Sequence, residues 1–227
     1  MVIFIVLILL AASCATKPKT VETPLDSIDS SAISKPSAPQ PIHPCFQFIA
    51  AGAVEDFKKE VQTCATYANP HGMTSLMFAI YKNRKEIFDY LINENLVDVN
   101  VIDKSGDSAL FSAVVSNRIE MVEALRARGA KIQLNSIGVS PLWIALQNSR
   151  AELIFAMAPT REEINLQGGD GWSAIYFAVR RKQISVFNFI LESGADTKIK
   201  DSEGKTPLDF ARDEVKWDHA VIWLGRD

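Results

Sequence analysis

The stretch Gly168–Arg181, GGDGWSAIYFAVRR, holds the residue types of an anion site: a glycine-rich turn, a helical apolar pattern and two arginines. Free N–H groups and the helix dipole favour an anion at such a junction. The stretch lacks the Gly-Lys-Ser/Thr ending of a phosphate loop. The histidines His43, His71 and His219 fall in a Pro/Ser-rich segment, a predicted hairpin tip and the last helix, and none comes with a nucleophile or a second ligand. There is no Ser-His-Asp order and no HExxH motif. The acidic pairs Glu162-Glu163 and Asp213-Glu214 read as solvated helix faces. The sequence therefore argues against an enzyme, and it implies no cofactor, metal or small-molecule substrate.

The three cysteines, Cys14, Cys45 and Cys64, are too few for a disulfide scaffold and are not spaced like a zinc site. The 227 residues, 48% of them hydrophobic, suit one folded domain with or without a tail. A net charge of -3 gives no argument for nucleic acid.

The first residues do not look like part of the fold. Val2–Leu10 is an apolar run followed by small residues and Cys14. A membrane span needs about 20 residues, so the run is short for one, and it matches the apolar core of a secretory signal over 1–13. "AASC" resembles the lipobox of bacterial lipoproteins, with Ala11 where Leu is commoner and no Lys or Arg before the run. That resemblance implies cleavage before Cys14 and lipid attachment to it; an ordinary cleaved signal or an uncleaved anchor are the alternatives. Ala15, rather than Asp, after the cysteine resembles the outer-membrane sorting signal of enteric bacteria. It implies a lipid-anchored protein of the cell envelope, on the outer membrane and facing the periplasm. Residues 14–44, rich in Pro, Ser and Thr, lack the apolar density to fold and read as a disordered tether. Its r.m.s. reach as a flexible chain is roughly 30 Å.

The glycine-rich stretch repeats itself. GMTSL, GDSAL, GVSPL, GWSAI and GKTPL begin at Gly72, Gly106, Gly138, Gly171 and Gly204, at separations of 34, 32, 33 and 33 residues. Each has Ser or Thr two residues after the Gly. Each is followed by an Ala in register: Ala79, Ala113, Ala145, Ala178 and Ala211. The glycine suits a tight turn and the Ser or Thr can cap the helix that begins there. Pro141 and Pro207 fall in a first helical turn, where no N–H is needed. Polar breaks at Asn83, Asn117, Ser149 and Lys182 separate a first helix from a second with its own apolar stripe. One such pair cannot bury its apolar face alone; stacked pairs can.

The period, the G-x-T-P-L core and Gly194-Ala195-Asp196 resemble the ankyrin repeat over about Cys45–Asp227. The resemblance implies an all-α ankyrin-repeat solenoid of helix-turn-helix units joined by hairpin-like loops. Its units are a cap at 45–68 and repeats over about 69–102, 103–134, 135–167, 168–200 and 201–227. The histidine of the family motif is replaced by Met77, Phe111, Trp143, Tyr176 and Asp209, so packing by large side chains is expected to replace its turn hydrogen bonds. The third repeat has APTREEIN, Ala158–Asn165, in place of Gly-Ala-Asp; there Pro159 stops a helix and Thr160 with Glu163 can form a capping box.

In the cap, Cys45 and Cys64 sit near opposite ends of a helical hairpin that turns near Gly52. A disulfide there would close a loop of about 20 residues, worth on the order of 3 kcal/mol; two buried thiols are the alternative. By resemblance, a partner protein is held by hairpin tips and the exposed side of the first helices, which line a concave face. Met73, Tyr81, Ile137, Val139, Trp172, Arg180 and Arg181 fall there. Exposed aromatics and arginines are frequent interface anchors, so Ile137, Val139 and Trp172, flanked by Arg180 and Arg181, are the expected apolar and basic centre. A Trp172 folded back onto its own turn, with the arginines as ordinary solubilising charges, is the alternative. The expected function is an envelope-anchored adaptor or scaffold, with a specific inhibitor or immunity protein for a toxin or enzyme as the alternative. The glycines of the opening stretch then belong to a repeated turn.

Overall fold

The structure is a computed structural model and describes residues 42–225. The signal segment, Cys14 and the tether up to residue 41 lie outside the described residues.

The described unit is a row of helix pairs, and none of its helices is long and apolar enough to cross a membrane. The cap comes first, as α1 (Pro44–Ala51), α2 (Val54–Lys59) and α3 (Val61–Cys64). Gly52, with φ 74°, turns the chain between α1 and α2. The turn brings Cys45 and Cys64, both buried, to a Cα–Cα distance of 5.2 Å, joined as a disulfide. The charged second helix of the cap is broken in two at Glu60.

The repeats follow as inner and outer helices. The first pair is α4 (Ser75–Tyr81) and α5 (Lys85–Asn93), the second α6 (Ala109–Val115) and α7 (Ile119–Ala127). The third is α8 (Pro141–Gln147) and α9 (Ala151–Met157), followed by the short α10 (Arg161–Ile164). The fourth is α11 (Ala174–Arg181) and α12 (Ile184–Glu192). The fifth has α13 (Pro207–Asp209), continued by a wider π-helical segment Phe210–Val215, then α14 (Asp218–Leu224).

The repeated residues do what their types allow. The hydroxyls of Thr74, Ser108, Ser140 and Thr206 each accept from the N–H of the third residue of their helix. Ser173 is the exception: it begins α11, but its buried Oγ has no partner. The register alanines are buried, which lets paired helices approach closely. The polar breaks at Asn83, Asn117, Ser149 and Lys182 take left-handed φ of 54, 56, 58 and 53°.

A second register set ties one repeat to the one before. Arg84, Arg150 and Gln183 stand at the start of outer helices. Arg84 donates to Ile49 O and Ala50 O, Arg150 to Val114 O (3.1 Å) and Gln183 to Ser149 O (3.4 Å). These carbonyls lie at or just past the ends of the preceding inner helices, where donors are lacking and a cation suits the dipole.

The third repeat solves its missing Gly-Ala-Asp differently. Ala158 takes left-handed φ 39° to end α9, and α10 begins with the Thr160–Glu163 capping box. Arg126, from α7, then reaches into the junction. It donates to Met157 O, Ala130 O and Ala158 O, and bidentately to Glu163 at 2.8 Å on both arms. Glu163 also accepts from Ile132 N and Thr160 N. Burial opposes its ionisation, but Arg126 and those two N–H groups outweigh burial and hold the carboxyl below its ordinary range.

Candidate functional site

The five hairpin tips are built on one backbone plan with two side-chain solutions. At four of them an Asx side chain accepts from two N–H groups. Asn69 takes those of His71 and Met73, Asp103 those of Ser105 and Asp107, Asn135 those of Ile137 and Val139, and Asp201 those of Glu203 and Lys205. In the fourth repeat the equivalent residue is Gly168. The backbone hairpin survives, with Gly168 N on Trp172 O at 3.2 Å and Gly171 N on Gly168 O at 3.0 Å. A side chain does not fit, because a Cβ on Gly168 would lie 2.6 Å from the ring of Trp143. Gly171 is needed for conformation and for space: its φ is 76°, and a Cβ would meet Ser202 N at 2.6 Å. Neighbouring tips are joined by Lys104 N to His71 O, Ser136 N to Ser105 O and Ser202 N to Asp170 O. The glycines of the opening stretch thus form a repeat turn packed under a tryptophan.

Replacement of the family histidine follows two routes. Phe111 and Trp143 are buried and act by packing, as expected from the sequence. The other three restore polar ties, which corrects that expectation. The Tyr176 hydroxyl lies 2.8 Å from Ile199 O and 2.6 Å from Lys205 O, and burial pushes its phenol above the ordinary value. Asp209 accepts from Thr206 N and Oγ1 at 3.1 and 2.7 Å, and these bonds hold its carboxyl below the ordinary range. Met77 Sδ accepts from Thr74 N at 3.5 Å.

Of the residues assigned to the binding face, Tyr81, Ile137, Arg180 and Arg181 are exposed, Ile137 most of all among them as an apolar residue at 65%. Met73 and Val139 are half-buried, and Met73 packs on the core. Trp172 is not the free anchor of the sequence reading. It is half-buried, with its ring 5.9 Å from Tyr176, 5.4 Å from Phe177 and 4.9 Å from Phe210 of the next repeat. Phe210 is the first residue of the π-helical segment. Trp172 still meets one of the two arginines, because the Arg180 guanidinium lies over its ring at 5.5 Å. Tyr81 belongs to a separate group, with Phe78 and with Lys82 lying over both rings at 5.2 and 5.5 Å. The sequence-assigned residues therefore form two groups on one face, at repeats one and four, with Ile137 at a tip between them.

The residues that sequence reasoning missed are Arg84, Arg126 and Arg150, which hold repeats together. Arg84 and Arg150 had a signal: with Arg118 and Gln183 they recur at separations of 34, 32 and 33 residues. Among the described residues no group of three or more His, Cys, Asp or Glu is placed to hold a metal ion.

Two family models match this architecture, one described as ankyrin repeats in three copies over residues 45–136, the other as ankyrin repeats in many copies over 160–211. Together they span more than half of the 227 residues. The chain belongs to the ankyrin-repeat family. It is 30% identical over 147 residues to the mouse B-cell lymphoma 3 protein homolog, covering 63% of this chain and 33% of that protein. It is 26% identical over 114 residues to BRCA1-associated RING domain protein 1 of Caenorhabditis elegans, covering 50% of this chain and 16% of that protein. The chain thus spans a third or less of the length of these two relatives. A chain in the complex of the predatory endopeptidase Bd0816 of Bdellovibrio bacteriovorus with immunity protein Bd3460 has the same fold. Its TM-score is 0.66 at 23% identity, over 83% of this chain and all of that one. The ankyrin-repeat protein EF0377 superposes with a TM-score of 0.67 at 22% identity, over the same shares. Ankyrin repeats are a protein–protein interaction fold and generally a non-catalytic one.

Proposed function

We propose that this ankyrin-repeat chain is an adaptor of the bacterial cell envelope. It holds a partner protein on its inner-helix face and hairpin tips, and is anchored through a lipid on Cys14 to the outer membrane, facing the periplasm. The observation that carries the binding reading is the exposed set Tyr81, Ile137, Arg180 and Arg181 on one face. Exposed aromatic and arginine side chains are frequent binding anchors. The buried Cys45–Cys64 disulfide supports export, because such bonds persist in oxidising compartments. The lipobox-like AASC supports the anchor.

A photoreactive residue at Arg181, compared with one at Glu120 on α7, tests the binding face in intact cells. A defined protein adduct at 181 and none at 120 is expected; adducts at 120 alone would sink the reading. Metabolic labelling with an alkyne fatty acid tests the anchor. Wild type should label and Cys14→Ser should not; an unlabelled wild type removes the anchor from the account.

A second reading is a specific inhibitor or immunity protein. It is favoured by the shared fold with a chain of a peptidase–immunity protein complex. A single stoichiometric enzyme at 181, inhibited on binding, would select it; several envelope proteins would select the scaffold.

A further inference from the structure

The cap is built differently from the repeats it leads into. Its N-cap residues at α2 and α3, Ala53 and Glu60, make no side-chain cap bond. The buried residues of its three helices are Cys45, Phe46, Ile49, Phe57 and Cys64, so the two sulfurs are part of a thin core. In α3 the buried residue is Cys64 itself. As a terminal unit the cap packs on one neighbour, and such units open locally more easily than the row they end. Helix α1 is tied to that neighbour without the disulfide: Phe46 stacks on Phe78 at 4.2 Å, and Arg84 donates to Ile49 O and Ala50 O. Helices α2 and α3 depend on Phe57, on Lys58 over the Tyr90 ring at 5.5 Å, and on the bond from Cys64 to Cys45. That bond closes the cap between residues 19 positions apart, at the start of α1 and the end of α3. The five repeats contain no cysteine, so the rest of the row has no thiol chemistry of its own.

We propose that the cap is an oxidative latch. The repeats fold in either thiol state, and the cap closes onto repeat one only after Cys45 and Cys64 have joined. The thiolate of one cysteine attacks a disulfide-bearing oxidant, forming a mixed disulfide and releasing one thiol of the oxidant. The second cysteine then displaces the remaining sulfur. The pair loses two electrons and two protons, and the oxidant leaves as two thiols. A reducing compartment therefore keeps the chain uncapped and an oxidising one caps it. Once the cap has closed, the cysteines are 2% and 0% exposed, which screens the bond from attacking thiolates and holds the latch shut. The consequence for a partner rests on the binding-face reading. Phe78, on which Phe46 stacks, lies 6.3 Å from the Tyr81 ring. The Tyr81 end of that face is thus set only in the oxidised chain, and the Arg181 end in both.

The test uses the full chain with Cys14→Ser, so that this pair supplies the only thiols, refolded once in excess dithiothreitol and once with glutathione disulfide. Hydrogen exchange read by mass spectrometry should be at least about tenfold faster over 44–64 in the reduced chain, and within about twofold between the two states over α6–α11. Equal exchange over 44–64 overturns the latch, because free thiols then close the cap as well. Faster exchange along the whole row also overturns it, because the bond then holds the solenoid and not the cap. In the oxidised, folded chain, dithiothreitol should release alkylatable cysteines at least about tenfold more slowly in buffer than in denaturant; equal rates would mean that the closed cap does not protect its bond. With a photoreactive residue at 81, the protein crosslinked at 181 should be captured by the oxidised chain and not by the reduced one. Equal capture at 81 in both states overturns control of the face. Capture at 181 in neither state fails the binding-face reading and not the latch, which exchange alone decides.

Discussion

Two sets of arginine stand in different relations to the repeat stack. Arg84, Arg126 and Arg150 are half-buried and donate to backbone carbonyls of other units, with Arg126 also pairing Glu163. Arg180 and Arg181 are exposed at the end of an inner helix, and Arg180 leans on Trp172. The same side chain serves as a strut in one place and as surface charge in the other. The difference comes from position in the repeat. The start of an outer helix, where Arg84 and Arg150 stand, faces the bare carbonyls of the preceding unit, and the last turn of α7, where Arg126 stands, faces the end of α9 and Glu163 in the next, whereas Arg180 and Arg181 end an inner helix on the exposed side. Hence the first set should govern stability and the second should govern binding.

The largest effect should separate the two sets on stability. Arg126→Ala leaves Glu163 charged and half-buried without its partner, and should cost about 3–5 kcal/mol in denaturant unfolding. The same pair predicts a pH dependence. A carboxyl held below its ordinary value contributes stability at neutral pH and loses that contribution as pH falls through its folded-state pKa. The destabilisation caused by Glu163→Gln should therefore be full at neutral pH and shrink as pH drops below about 4, read as the difference in Tm from wild type.

Next comes the turn that replaces an Asx anchor by packing. Gly168→Ala places a Cβ against the Trp143 ring and should cost about 1–3 kcal/mol by overpacking. Gly169→Ala, with nothing within 4 Å, should change stability by less than about 0.5 kcal/mol. Arg150→Met keeps the aliphatic stem but loses the bond to Val114 O, and should cost about 1 kcal/mol. The other set comes last. Arg180→Glu with Arg181→Glu should shift unfolding by no more than about 1 kcal/mol, the scale of the Arg180–Trp172 contact it removes, while lowering partner affinity at least about tenfold. A large loss of Tm in that variant would erase the distinction between strut and surface charge.

Much of this architecture was legible because the repeat writes each device five times. The turn glycines, the hydroxyl caps at Thr74, Ser108, Ser140 and Thr206, and the buried alanines follow from residue type and register alone. What was not legible depends on contacts between units. Ser173 has the right type for a cap, yet its Oγ is buried without a partner. Trp172 has the composition of an exposed anchor, but Phe210, 38 positions along the chain, covers part of it. Arg126 and Glu163 are also far apart in sequence, and no spacing rule pairs them. Gly168 looked like phosphate chemistry because its reason for being glycine, the Trp143 ring, lies in the preceding repeat. Of the seven residues assigned to the expected binding face, four are exposed, while Met73, Val139 and Trp172 are half-buried.

The central claim is that the inner-helix face, and not the outer layer, recognises a partner protein. The most direct measurement is calorimetric titration of the protein crosslinked at position 181 against three purified full-length chains. These are wild type, Arg180→Glu with Arg181→Glu, and Glu120→Lys with Glu123→Lys. The account predicts at least about a tenfold loss of affinity for the arginine variant and an unchanged affinity for the outer-layer variant. Equal affinity of the arginine variant and wild type, or a loss confined to the outer-layer variant, would contradict it.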